Sequence, residues 1–251
     1  MMAQSARGVL LLATLLVAAL ADEPGRPLRV HVMPHTHADV GYKKTFEGYF
    51  NTEIRPILLS ITPTLSADPA LRFVWSEVAW LKRWFEGSSA PEDVRAQAMF
   101  RRLLSNGQIE LVDGGFSQHD DVITDVAQQL QNMRQGRQWL LNRFGAPDGV
   151  PRHGWHPDSF SSTSATPTVY ALLGCDALVH DRMNDDIKTG LASNASLEFV
   201  WQGSSSLSPE RSSILLHVIY GQFHTGYQSP VCFDWEQDQV RTVCPQLFAL
   251  N

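Results

Sequence analysis

Cysteine is scarce in this sequence, with three in 251 residues. Cys175, Cys232 and Cys244 form no CxxC and no Cys–His knuckle, which excludes a zinc site of that kind. Cys232 and Cys244 are close in sequence and could pair in an oxidising compartment. Cys175, set in Leu-Leu-Gly-Cys-Asp-Ala-Leu, is expected to be buried and free. Basic residues are also short: 20 Lys and Arg stand against 26 Asp and Glu, a formal charge of −6. Without a basic stripe, nucleic acid is not an expected partner. Long apolar runs are missing except for residues 9–20, which carry no charge and are too short to span a bilayer. That run follows Arg7 and precedes Ala19-Leu20-Ala21, so residues 1–21 read as a secretory signal peptide. No membrane partner is expected after its cleavage. The expected location is the secretory pathway, then a lysosome, a vacuole or the extracellular space. Asn194-Ala195-Ser196 is a glycosylation sequon that agrees with this route. No internal repeat is visible.

What is present is ordinary globular composition, 43% hydrophobic and 18% charged, enough for one large domain. Residues 28–33 alternate as a strand. Residues 45–66 read as a helix that Pro56 and Pro63 must kink or end. Strands are expected at 71–76, 108–112, 151–155, 177–180, 197–201 and 214–219. Helices are expected at 77–85, 91–106, 123–144 and 167–173. The Ser-rich stretch 204–213 reads as a surface loop, and 235–251 as an irregular tail. Strands alternating with helices predict an α/β fold of mainly parallel strands.

Loops after successive strands carry the ionisable groups. They are His35, His37 and Asp39; His119, Asp120 and Asp121; His156 and Asp158; and His180, Asp181 and Arg182. In parallel α/β folds the loops after strand C-termini carry the chemistry. A His-x-Asp pair directly after a strand suits a metal such as Zn²⁺, because imidazole nitrogen and carboxylate oxygen are both good zinc donors. Arg182 could clamp the Asp158 carboxylate or a substrate oxygen. Tyr42, Phe116, Trp155, Phe160 and Tyr227 stand beside these groups, and aromatic faces among polar groups are how sugar pockets are built. Taken singly, Asp120 and Asp181 read as caps or surface charges.

Four ordered motifs carry a resemblance. Pro34-His35-Thr36-His37-Ala38-Asp39-Val40-Gly41-Tyr42, Phe73-Val74-Trp75-Ser76-Glu77-Val78-Ala79, the stretch 107–121 and Gly154-Trp155-His156-Pro157-Asp158-Ser159-Phe160 resemble glycoside hydrolase family 38, the class II α-mannosidases. Residues 198–206 with Gly226-Tyr227-Gln228-Ser229-Pro230 look most like its lysosomal branch. The resemblance covers essentially 28–234, so residues 22–234 are expected to form one catalytic α/β domain. It implies an irregular (β/α) barrel of glycoside hydrolase/deacetylase type, incomplete at the C-terminus. It also implies zinc held by His37, Asp39 and Asp158, with Asp158 doubling as nucleophile and Arg182 contacting it. Tyr42, Phe160 and Tyr227 match residues that line the sugar pocket, and His35 matches structural support. The implied reaction is retaining hydrolysis of α-D-mannosides in N-glycans and oligosaccharides, with a second carboxylic acid about 5–5.5 Å from the nucleophile.

The sequence departs from the family pattern in three places. Tyr42 stands where a Trp is usual. Ser161-Ser162 replaces Gly-His after Phe160. Members are several times longer, and their fourth zinc ligand, a His, and their acid/base Asp lie beyond the matched stretch. The chain is therefore expected to carry three of four ligands and the nucleophile, as a piece of a mannosidase or as a weakly active or inactive mannose-binding remnant. A zinc-dependent polysaccharide deacetylase is the alternative enzyme; it would need an Asp with a His-x-x-x-His pair.

Overall fold

The computed structural model describes residues 33–160 and 162–219. The expected signal peptide at 1–21, most of the expected strand at 28–33, Tyr227, Cys232, Cys244 and the stretch 235–251 lie outside the described residues. Elements alternate as the sequence predicts. Helices α1 (Phe46–Tyr49) and α2 (Arg55–Ala67) are joined by a π-helical turn, Phe50–Ile54. They precede β1 (Phe73–Trp75), α3 (Val78–Gly87), α4 (Pro91–Ser105), β2 (Ile109–Leu111) and α5 (Val126–Phe144). Then follow β3 (His153–His156), α6 (Thr166–Leu172), β4 (Ala177–His180), α7 (Asp185–Ser193), β5 (Glu198–Gln202), the one-turn α8 (Pro209–Ser212) and β6 (Ser213–Val218).

Neither proline ends the first helical run. Pro56 has no N–H for the carbonyl one turn back, and the helix widens into the π turn beside it. Pro63 sits within α2, which continues to Ala67. Helix α5 starts three residues later than expected because Asp125 builds a capping box with Gln128. Helix α7 was not expected at all. Asn184 caps it by accepting from the Asp186 and Ile187 amides, and Asp185 and Asp186 occupy its first turn, where negative charge is favoured.

β1 and β2 pair in parallel, and His35 adds a parallel bridge to Val74. The second sheet has the order β3-β4-β6-β5. There β3, β4 and β6 are parallel, and β5 is antiparallel to β6. That exception follows from the connection: the short 203–212 link suits an antiparallel pair and is too short for a crossover. One backbone bond links the sheets, from the Asp113 amide to the His153 carbonyl at 2.7 Å. Among the described residues the strands do not close into a barrel.

The larger core lies where α1 to α4 meet β1 and β2. Trp75, Trp80 and Trp84 are fully buried in it. Trp80 stacks on Phe46, with ring centroids 4.5 Å apart. The Trp84 indole N–H donates to Asp93 at 2.8 Å, and Arg55 holds the same carboxylate, so this buried charge is paired. Truncating Trp84 to Ala would cost about 3–5 kcal/mol on the scale of other aromatic deletions. The smaller core joins Tyr170 and Met133 to Leu178, Ile214, Leu216 and Val218.

The β2 loop is fixed by close backbone approach. Asp113 has φ +59° and Gly114 φ +97°. Helix α5 lies against this turn through Gly136, where a Cβ would overlap the Gly114 carbonyl oxygen. The Arg137 guanidinium donates to the Asp113 carbonyl at 3.0 Å.

Candidate active site and metal centre

His37 and Asp39 lie in the loop after the His35 bridge, Asp158 in the loop after β3 and Arg182 in the loop after β4. The fold brings the four together. His37 Nε2 is 3.2 Å from Asp39 Oδ1 and 3.2 Å from Asp158 Oδ2. The Arg182 Nε forms an ion pair with Asp158 Oδ1. One donor atom from each of His37, Asp39 and Asp158 lies within 4.8 Å of the others. The Asp39 side chain is 47% exposed while His37 and Asp158 are 9% and 14%, so the cluster opens to solvent on one side.

Electrostatics make this a cation site. Burial works against a charged His37, but Asp158 and Asp39 outweigh it, Glu77 adds to them, and the pKa is pushed up to about 10. A metal ion would replace that proton between the same two carboxylates. One imidazole nitrogen and two carboxylate oxygens fit a divalent ion of the zinc type.

Glu77 is a site residue that sequence reasoning did not single out. It begins α3 and is 2% exposed, with Oε1 4.0 Å from His37 Nδ1. Burial pushes its own pKa up to about 7, against the pull of His37. The Gln118 amide donates to Glu77 Oε1 at 3.2 Å. A carboxylate behind a ligand imidazole orients the ring and fixes its tautomer.

Other predicted residues take varied places. Phe160 is 72% exposed, with the Arg182 guanidinium 4.5 Å from its ring centre. Tyr42 is 73% exposed, an aromatic face open to solvent. Asn194 is exposed at the end of α7. Tyr227 lies outside the described residues. His35 packs edge-on against Trp155 at 5.0 Å, as a structural residue would. The His-x-x-x-His spacing that a deacetylase would need occurs once, at His31 and His35; His31 lies outside the described residues. Asp120 caps the amides of Val122 and Ile123, in line with its expected role. Asp181 does not: it is 4% exposed and pairs with Lys188 Nζ at 2.5 Å, because α7 brings that lysine back over the loop. Cys175 is free as expected but only half-buried, and the Arg137 guanidinium donates to its sulfur at 3.4 Å. His119, Asp121 and His156 converge on one another instead of on Asp158.

The sequence profile of the glycosyl hydrolases family 38 N-terminal domain matches residues 27–245. The chain is 32% identical over 193 residues to the epididymis-specific alpha-mannosidase of Homo sapiens, covering 77% of this chain and 18% of that protein. It is 34% identical over 175 residues to alpha-mannosidase 2x of Mus musculus, covering 70% and 15%. Against the lysosomal alpha-mannosidase of Homo sapiens it is 30% identical over 217 residues, covering 83% and 21%. The chain thus spans about a fifth of the length of these relatives or less. Among solved structures, an alpha-mannosidase from Enterococcus faecalis V583 superposes with a TM-score of 0.56 at 19% identity, covering 74% of this chain and 19% of that one. A 4-alpha-glucanotransferase from Thermococcus litoralis superposes with 0.52 at 16% identity, covering 74% and 27%. Both likenesses concern the fold. The length and position of the profile match show that this chain belongs to glycosyl hydrolase family 38 and carries its N-terminal domain.

Proposed function

We propose that this chain bears the nucleophile and metal ligands of a zinc-dependent, retaining α-mannosidase acting on terminal α-D-mannosides of N-glycans and oligosaccharides. The observation that carries the reading is the meeting of His37, Asp39 and Asp158 at one point, with Arg182 paired to Asp158. The names of its relatives support the substrate class. The signal peptide and the lysosomal relative support the secretory pathway and lysosomal glycoprotein catabolism as its setting. The two open sheets are read as the beginning of an irregular (β/α) barrel.

His37, Asp39 and Asp158 would hold the ion. When bound, zinc supplies Lewis-acid binding of sugar hydroxyls and helps distort the ring. Arg182 aims the Asp158 carboxylate through a charge-assisted bond. That carboxylate attacks the anomeric carbon; a C1–O bond forms to Asp158 as the bond to the leaving oxygen breaks, and that oxygen takes its proton from the second carboxylic acid, which the family resemblance places beyond the matched stretch. Water then cleaves the glycosyl ester with net retention. Phe160 and Tyr42 offer exposed aromatic faces for the sugar.

A mannosyl fluoride bearing a second, ring fluorine tests the nucleophile alone, because departing fluoride needs no general acid. The expected result is a mass adduct on the peptide that contains Asp158, lost in Asp158→Asn. A folded, zinc-loaded chain that takes no adduct, or takes it elsewhere, would overturn the reading.

A further inference from the structure

A second cluster of metal-ligand side chains lies apart from the first. His119 and Asp121 come from the loop after β2, and His156 ends β3. The three side chains are 5%, 1% and 0% exposed. One donor atom from each lies within 4.8 Å of the others. His119 Nε2 and Asp121 Oδ1 stand 3.2 Å apart yet are not aligned as a hydrogen bond, and both atoms are buried without a hydrogen-bond partner. The His156 Nδ1 is likewise buried and unpartnered, 3.8 Å from Asp121 Oδ2.

The proton inventory sharpens the point. The Tyr170 hydroxyl donates to Asp113 Oδ1 at 2.6 Å, and the same oxygen touches His156 Nε2. With its proton committed to Asp113, the hydroxyl accepts from His156 Nε2–H. The neutral ring then presents a lone pair at Nδ1. That lone pair faces a carboxylate whose Oδ2 already accepts from the Thr166 hydroxyl at 2.7 Å. Two acceptors face each other in a dry interior with no proton between them. Such an arrangement is costly unless a cation fills it.

We propose that His119 Nε2, Asp121 and His156 Nδ1 form a second, closed site for a divalent ion of the zinc class. Two imidazole nitrogens with one carboxylate select zinc or cobalt over calcium or magnesium, which prefer all-oxygen cages. Burial on all three ligands gives the site a structural role, tying the β2 loop to the end of β3. His180, the register partner of His156 on β4, adds a further buried imidazole to the neighbourhood.

The test separates the two sites by stoichiometry. The 251-residue chain is stripped with chelator, titrated with Co²⁺ and Zn²⁺, and the bound metal counted. His37→Ala with Asp39→Asn disables the first cluster. One equivalent should remain in that double variant, and adding His119→Asn or Asp121→Asn should remove it. X-ray absorption on the metal-loaded double variant needs no change in the second cluster; it should show two imidazole ligands. A folded double variant that binds no metal, or a bound ion with fewer than two imidazoles, would overturn the proposal and leave His119–Asp121 as an ion pair only.

Discussion

The two clusters use the same ligand types and differ in access to water. His37, Asp39 and Asp158 lie in a mouth where Asp39 is 47% exposed. His119, Asp121 and His156 lie in an interior where no side chain exceeds 5%. The open cluster holds a proton between two carboxylates and a paired arginine. The closed one sets the His156 Nδ1 lone pair against the Asp121 carboxylate. An ion in the first can meet a substrate, and one in the second can only brace the chain. Chemistry is thus assigned by exposure and hydrogen-bond supply, not by residue type.

The largest effect expected to break this contrast is Asp158→Asn. Hydrolysis of an activated aryl α-mannoside should fall by at least about 10³-fold, as for loss of a nucleophile elsewhere. Metal in the closed cluster should stay. Next comes Arg182→Met, which leaves Asp158 without its guanidinium. Trapping by the fluorosugar should slow by about 10–100-fold, on the scale of one lost charge-assisted bond, with the melting temperature little changed. Tyr170→Phe acts on the other side. It strands Asp113 and His156 in the interior and should cost about 1–3 kcal/mol of stability, the penalty of an unmade buried bond, read in urea denaturation. Fluorosugar labelling of the folded fraction should be unaffected.

The smallest effect is a pH slope in the metal-free chain. Burial raises Glu77 from 4.5 to about 7, so the folded state holds its proton more tightly than the unfolded chain. That contribution is complete below pH 4.5 and is lost as pH rises to about 7. His37, raised to about 10, works in the same direction between pH 6.5 and 10. Below pH 6.5 His180, lowered to about 4, and His35 and His156, lowered by burial, work the other way, so the melting temperature of the chelated chain should fall above pH 6.5. Glu77→Gln should make the slope between pH 5 and 7 more positive, and should also weaken the fall above pH 7, because Glu77 helps to raise His37. A melting temperature that does not fall between pH 7 and 10 would show that His37 does not titrate as described, and a slope between pH 5 and 7 unchanged by Glu77→Gln would show the same of Glu77.

Much of the open cluster was legible because its signals are local. His37-x-Asp39 after a strand, Asp158 in a Trp-His-x-Asp run and Arg182 after the next strand each need only a few residues to be noticed. Glu77 escaped because it borders an apolar helix and looks like its first turn. Only folding reveals that its carboxylate points behind His37. The closed cluster was visible as three residues but not as a group, since its convergence depends on β2 handing over to β3 through Asp113 and His153. Asp181 was misjudged for want of α7, whose Asn184-Asp185-Asp186 start was a readable cap. The widening of the first helix at Pro56 was not legible, because sequence shows that a bond is missing but not how the chain accommodates it. The strands followed from periodicity, but their division into two sheets and the reversal of β5 did not, because strand pairing is not a local signal.

The contact at Gly136 reaches beyond packing. Helix α5 has no room for even a methyl group against the Gly114 carbonyl, and the same turn launches the loop that carries His119 and Asp121. In a library of random variants screened for expression, Gly136 should be among the most depleted positions of the chain, although it bears no functional group. A position of that kind is a hidden cost to protein engineers: changes aimed at the mouth will be tolerated or not according to whether they leave this one backbone crossing undisturbed.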